Sequence, residues 1–165
     1  MSSIATERLV LKPTAVEDAA FILELLNSPK WLEFIGDRNV KSIAEAEAYI
    51  KERMLPQFER LGFTNNVVIR KADGKKIGAC GLYDRDGLEG IDIGFAFLPG
   101  FEGQGYGYES ASALLQTAFK DYKLNRVIAI TSKHNMPSQN LLIKLGLNFE
   151  SMITLPYENE ELMLF

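Results

Sequence analysis

Phe101-Glu102-Gly103-Gln104-Gly105-Tyr106-Gly107, running on into Tyr108-Glu109-Ser110-Ala111, sits between a strand pattern and a helix pattern. Behind it, Ala111, Leu114, Leu115, Ala118, Phe119 and Tyr122 repeat at helical spacing and make the clearest amphipathic helix of the chain. Ahead of it, Ile91, Ile93, Phe95 and Phe97 alternate with Asp92, Gly94 and Ala96, so one strand face is bulky and apolar and the other almost bare. A bare face leaves room for something else. A glycine-rich loop between such a strand and such a helix turns unpaired amides and the positive helix end toward one point, which suits a phosphate. A Walker loop is excluded because no Lys occurs between Leu98 and Phe119. A dinucleotide fingerprint laid over Gly105 to Ser110 would need a parallel βαβ unit, whereas an antiparallel meander precedes the loop. The glycines also have a purely structural reading, as a tight strand-to-helix turn.

Working outward, Leu9-Val10-Leu11 reads as a strand, and Thr14-Ala15-Val16-Glu17 has the spacing of a capping box that opens a helix carried to Leu26. Asn27-Ser28-Pro29 stops it, and the chain is expected to be irregular to about Asn39. A second capping box, Ser42-Ile43-Ala44-Glu45, opens a helix that Pro56 interrupts and Gly62 ends. Val67–Ile69, Ile77–Leu82 and Ile91–Phe97, with turns at Asp73-Gly74 and Asp86-Gly87, form the meander. Beyond the amphipathic helix come a strand at Val127–Ile130, a helix at Ser138–Leu145, and closing strands at 149–154 and 162–165. No repeat or linker breaks the pattern, so residues 1–165 read as one α+β domain.

Eighteen Lys and Arg against 22 Asp and Glu give a net charge of −4, which argues against nucleic acid as the main ligand. The single Cys80 permits no intrachain disulfide, and no Cys/His spacing suggests zinc, so a metal-free protein of the reducing cytoplasm is expected. Cys80 itself reads as core. The N-terminal stretch from Met1-Ser2-Ser3 has no basic segment leading an apolar run, and no 18-residue apolar segment follows; neither secretion nor membrane spanning is expected.

The order of meander, Gly-rich loop, amphipathic helix, strand and Asn135-Met136-Pro137-Ser138 helix resembles the GNAT acetyltransferase superfamily, and within it the RimJ/RimL-type branch. Asp92-Ile93-Gly94-Phe95 is similar to the family's acidic-Ile-Gly-aromatic strand, Gly103 to Ala111 to its coenzyme loop, and Asn135 to Ser138 with Lys144-Leu145-Gly146 to its last motif. The opening Thr6-Glu7-Arg8-Leu9-Val10-Leu11 resembles the branch's first strand.

That resemblance implies a central mixed, mostly antiparallel sheet of six to seven strands flanked by helices. It implies transfer of an acetyl group from acetyl-CoA to a primary amine, either a peptide N-terminus or a small molecule, with no metal and no membrane, and a possible homodimer. Phe95, Ala96 and Phe97 would bind the pantetheine by their backbone. Glu102, Gly103, Gln104, Gly105, Tyr106 and Gly107 would cradle the pyrophosphate, and Asn135 would bond the coenzyme arm.

Two positions depart from the pattern. Glu102 stands where Gln or Arg is usual, and a carboxylate there is unfavourable to a phosphate. Leu142 stands where many members carry a Tyr that protonates the leaving thiolate. Ser138 is the replacement on alignment, its other reading being a capping hydroxyl. Asp92, taken as an unpaired carboxylate on the bare face, is the candidate base, acting directly or through water. Trp31 and Phe34 either wall the acceptor cleft or pack in the core. Tyr157 and Glu158, in the loop between the last strands, border the acceptor site or are merely solvated. His134 reads as a loop residue. The rival reading is a catalytically weak coenzyme-binding sensor or interaction module.

Overall fold

β1 (Ile4–Ala5), β2 (Leu9–Pro13), β3 (Asn65–Arg70), β4 (Lys75–Asp84) and β5 (Ile91–Phe97) pair in that order, each antiparallel to the last. The computed structural model describes residues 3–165; Met1 and Ser2, part of the N-terminal stretch read above, lie outside the described residues. A second antiparallel sheet has the order β6 (Ile130–Ser132), β8 (Leu162–Leu164), β7 (Ser151–Ile153). The expected six to seven strands are thus five plus three.

The sheets meet at one parallel bridge. Ile93 N donates to Ile128 O (2.8 Å) and Ile128 N to Ile91 O (2.9 Å). One residue later the chain changes partner: Ala129 and Phe165 exchange both backbone bonds, which draws β6 into the second sheet. The strand expected at Val127–Ile130 is therefore only a bridge at Ile128, and regular pairing begins at Ile130.

Helices cover both faces of the five-stranded sheet. α5 (Tyr106–Lys120) and α6 (Met136–Lys144) lie on the face of Leu11, Val68, Ile77, Leu82 and Ile93, with Leu114 and Leu142 buried between. α1 (Ala19–Leu26) and α3 (Ile43–Arg53) cover the other, burying Ile22, Leu25 and Ile50 against Val67 and Ala79. Each fully buried Leu or Ile contributes roughly 1.5–3 kcal/mol by leaving water. The long second helix is divided at Met54 into α3 and α4 (Leu55–Leu61), with Pro56 in the first turn of α4 and Gly62 closing it at φ 85°.

Two local expectations are corrected. The stretch after Pro29 is helical as α2 (Pro29–Phe34): Ser28 occupies the N-cap and Pro29 the first turn, where its missing N–H costs nothing. The first capping box is displaced by one residue. Asp18, not Glu17, reaches back to Ala15 N (2.9 Å), because Thr14 Oγ1 instead donates to Asn65 O of β3.

Asp18 is fully buried and also takes Lys76 Nζ at 2.5 Å and Lys12 Nζ at 3.3 Å. Burial raises its pKa, but Lys76, the Ala15 N–H and Lys12 together prevail and hold it below the usual carboxylate range. A carboxylate with a lowered native pKa stabilises the fold above its unfolded value, about 3.9, and that stability is lost as pH falls through the native value. Asp18→Asn should cost about 1–3 kcal/mol at pH 7. The deficit relative to wild type should shrink below about pH 4 in urea titrations.

Candidate active site

Past the Ile128 bridge, β5 and β6 part. Leu98 N bonds Ile77 O on β4, while Ile93 N bonds Ile128 on the opposite side, so even-numbered residues of β5 spend their backbone groups on β4 and odd-numbered ones face outward. The N–H and C=O of Phe95 and Phe97 are thereby turned to the opened edge. A cleft of about 310 Å³ lies along it, lined by Phe95, Ala96, Phe97, Glu102, Gly103, Gly105, Tyr106, Gly107, Asn135 and Ser138. α2 closes the opposite wall with Trp31 and Phe34.

The cleft ends at the first turn of α5. Gly105 caps that helix at φ 82°, a left-handed conformation that a side chain would strain, and Arg8 Nη2 stands 3.2 Å from where a Cβ would be. At Gly107 a Cβ would approach Leu141 Cδ2 to 2.9 Å, so a larger residue there would make the Leu141 side chain of α6 shift. The opening turn is fixed from outside by Glu109. Its carboxylate accepts from Thr6 Oγ1 (2.5 Å), Arg8 N (2.8 Å) and Arg8 Nε (2.7 Å), tying the first turn of the chain to the helix. Lys144 lies over the ring of Tyr108 at 4.4 Å, adding a cation to the rim.

Glu102 has a partner that the sequence pattern does not reveal. Lys30 Nζ of α2 bonds its Oε2 at 2.6 Å, across the cleft mouth. The carboxylate that departs from the loop pattern is thus matched by a cation from α2. Gln104 turns away from the cleft: its Nε2 donates to Gly100 O at 2.7 Å and closes the loop on itself. Asn135 caps α6, its Oδ1 accepting from Ser138 N at 3.3 Å, and both residues line the cleft. Leu142 is core, 1% exposed, while its neighbour Leu141 faces the cleft.

Asp92 is not among the cleft residues. It is 1% exposed and takes Arg85 Nε on both carboxylate oxygens, at 2.9 and 3.1 Å, so the expectation of an unpaired carboxylate is corrected. Burial pushes its pKa up to about 6, against the pull of Arg85. The bare face of β5 is filled at Gly94. Gly94 pairs with Gly81 of β4, and the ring of Tyr83 lies across both, Cε2 3.0 Å from a Cβ position on Gly94 and Oη 2.6 Å from one on Gly81. The Tyr83 hydroxyl donates to Asn65 Oδ1 at 2.5 Å. Tyr157 and Glu158 also lie outside the cleft lining, in the β7–β8 loop, whose Pro156 packs on Gly87 of the β4–β5 turn.

Cys80 is fully buried, and burial pushes its thiol up to about 12. His134 sits in the β6–α6 loop, its N–H on Ser132 Oγ. Among the described residues no group of side chains could hold a metal ion, and no helix is long and apolar enough to cross a membrane.

An opened strand edge, a glycine loop and a helix N-terminus around one cleft define a protein built to take an extended ligand with hydrogen-bonding groups along its length and negative charge at one end. Residues 8–148 match the acetyltransferase (GNAT) domain family, and the chain belongs to it. It is 27% identical over 159 residues to an uncharacterized N-acetyltransferase of Bacillus subtilis, YnaD, covering 95% of this chain and 90% of that one. Its fold is that of a GNAT-family acetyltransferase from Bacillus anthracis, with TM-score 0.79, 24% identity, and coverage of 99% and 96% of the two chains. RimL, a ribosomal L7/L12 α-N-protein acetyltransferase solved in complex with coenzyme A, shares the fold with TM-score 0.80 and 16% identity, covering 99% and 96%.

Proposed function

We propose that this GNAT domain, spanning residues 1–165, is an acetyl-CoA-dependent N-acetyltransferase of the RimJ/RimL type that works in the cytoplasm on a primary amine, of a peptide N-terminus or a small molecule. The observation that carries the reading is the outward edge of β5 at Phe95 and Phe97, leading to the open amides of α5. A pantetheine arm finds strand-like partners there, and its pyrophosphate meets the helix end with Arg8, Lys30 and Lys144 around it. The likeness to RimL, solved with coenzyme A, supports the same ligand.

The reaction is a direct displacement. The amine nitrogen attacks the thioester carbonyl, an N–H of the β5 edge receives the developing oxyanion, and the carbon–sulfur bond breaks to release coenzyme A. A covalent acyl-enzyme on Cys80 is disfavoured by its complete burial and raised pKa. A thiol of pKa about 8.5 leaves with little help, so a hydrogen bond from Ser138 suffices where Leu142 offers none. Removing the amine's proton is the harder step, since an amine of pKa about 10.4 is less than one part in a thousand neutral at pH 7. Asp92 is the acid–base group with a fitting pKa. Covered by Arg85, it takes the proton through water rather than by contact. Leu142 in the core favours one other reading, a coenzyme-binding module without turnover, and release of free thiol from acetyl-CoA separates the two.

Release of free thiol from acetyl-CoA with a panel of amines should show turnover without added metal. Gly105→Val should weaken coenzyme A binding about tenfold or more, because the side chain strains a left-handed residue beside Arg8. Equal affinity in calorimetry would move the coenzyme elsewhere. Lys30→Ala should weaken binding by roughly two- to fivefold at low salt by leaving Glu102 unpaired, and adding Glu102→Gln should restore it. Simple additivity would show that the two side chains act independently. With Asp92 ionised above its native pKa, kcat/KM should rise with pH through about 6. Asp92→Asn should flatten that limb and change coenzyme affinity less than twofold; a limb that persists removes Asp92 from proton transfer.

A further inference from the structure

Arg85 follows β4 at the turn into β5, and only its Nε is engaged, by both oxygens of the buried Asp92. Among the described residues, its two terminal nitrogens have no protein hydrogen-bond partner. Its guanidinium lies over the ring of Tyr83, 4.8 Å from the centroid, and Nη2 is 3.9 Å from a Cβ position on Gly94. The side chain is 29% exposed. An arginine buried to this degree, stacked on an aromatic face and pinned through Nε, has lost its rotational freedom yet keeps an open fork. The nearby Asp84 does not claim it, because Arg60 holds Asp84 at 3.0 Å.

The position of that fork is set by the strand. Gly94 and Ala96 point to the same face of β5, roughly 6–7 Å apart, and Ala96 lines the cleft. Tyr157 of the β7–β8 loop lies close enough to add to the field at Arg85. A fixed, planar pair of donors one strand period from the cleft is the geometry that receives a carboxylate or phosphate bidentately.

We propose that Arg85 is the acceptor-specificity residue, and that the amine acetylated by this protein carries a carboxylate or phosphate several bonds from its nitrogen. Asp92 is then also the positioning residue that holds the Arg85 fork over Gly94. The inference rests on the acetyltransferase reading and deepens it.

The test uses matched amines: 4-aminobutyrate against 4-aminobutanamide for a carboxylate, and 2-aminoethyl phosphate against ethanolamine for a phosphate. The quantity read is the ratio of kcat/KM for the anionic over the neutral member within each protein, so any loss common to both cancels. Wild type should favour at least one anionic member tenfold or more, carried by KM, and which pair shows it distinguishes carboxylate from phosphate. Arg85→Lys, which keeps the charge opposite Asp92 and lets the protein fold, should lower the ratio severalfold, and Arg85→Gln should bring it near one. A wild-type ratio near one for both pairs, or a ratio that Arg85→Gln and Arg85→Lys leave unchanged, overturns the proposal. If no amine is turned over, saturation-transfer NMR of both anionic amines with the coenzyme A-loaded protein reads the site directly. Binding lost in Arg85→Lys upholds the assignment while the acetyl-transfer reading fails, and binding that is absent in wild type or unchanged in the variant overturns it.

Discussion

Ile93 donates to Ile128 and Ile128 donates to Ile91, and beyond those bonds no strand among the described residues lies beside the outer edge of β5. A sheet edge inside a protein is costly, since each buried backbone group left without a partner forfeits about 1–3 kcal/mol. The edge persists here because β6 has a better use for its own backbone. Ala129 exchanges two hydrogen bonds with Phe165, and Ile130 to Ser132 pair along β8, so the second sheet pulls β6 away at the residue after the bridge. The cleft is therefore a consequence of where one strand changes partner. Its walls follow from the same event, because Leu142 of α6 and Ile93 of β5 pack in the same core beneath the parting.

What could be read in the sequence and what could not divide along a physical line. The amphipathic spacing of α5, the glycines at 103, 105 and 107, and the alternation from Ile91 to Phe97 are local signals, and each marks an element that helps form the cleft. The Ser42–Glu45 capping box is likewise local, and Ser42 Oγ does accept from Glu45 N at 3.1 Å. By contrast, the bare face at Gly94 suggested vacancy, but its occupant is Tyr83, brought there by the Gly81–Gly94 register of β4 and β5. Asp92 reads as free in the sequence because its partner, Arg85, lies across a hairpin whose turn length no periodicity specifies. The short α2 carries no repeat long enough to register, only a serine and a proline at its start.

Ion pairing across elements accounts for the remaining surprises. Thr14 is drawn off to Asn65 O, so Asp18 takes the capping-box place, and two lysines from β2 and β4 converge on its carboxylate. Glu109 looks like a helix-surface acid in sequence, yet it accepts three bonds from Thr6 and Arg8, some hundred positions away. A hydrogen-bonding side chain in a helical pattern announces its residue type and not its partner.

Glu102 shows how net charge and local charge can part company. A chain of net charge −4 with an acid in its glycine-rich loop reads as poorly suited to an anionic ligand. Two unit charges 4 Å apart interact by about 4 kcal/mol at an effective dielectric of 20, so the nearest neighbours outweigh the distant sum. At the cleft mouth those neighbours are the α5 amides, Arg8 beside Gly105, Lys144 over Tyr108, and Lys30 bonded to Glu102 itself. Lys30 belongs to α2, the helix that also carries Trp31 and Phe34 of the opposite wall. The ion pair thus ties the glycine-rich loop to α2, the opposite wall of the cleft.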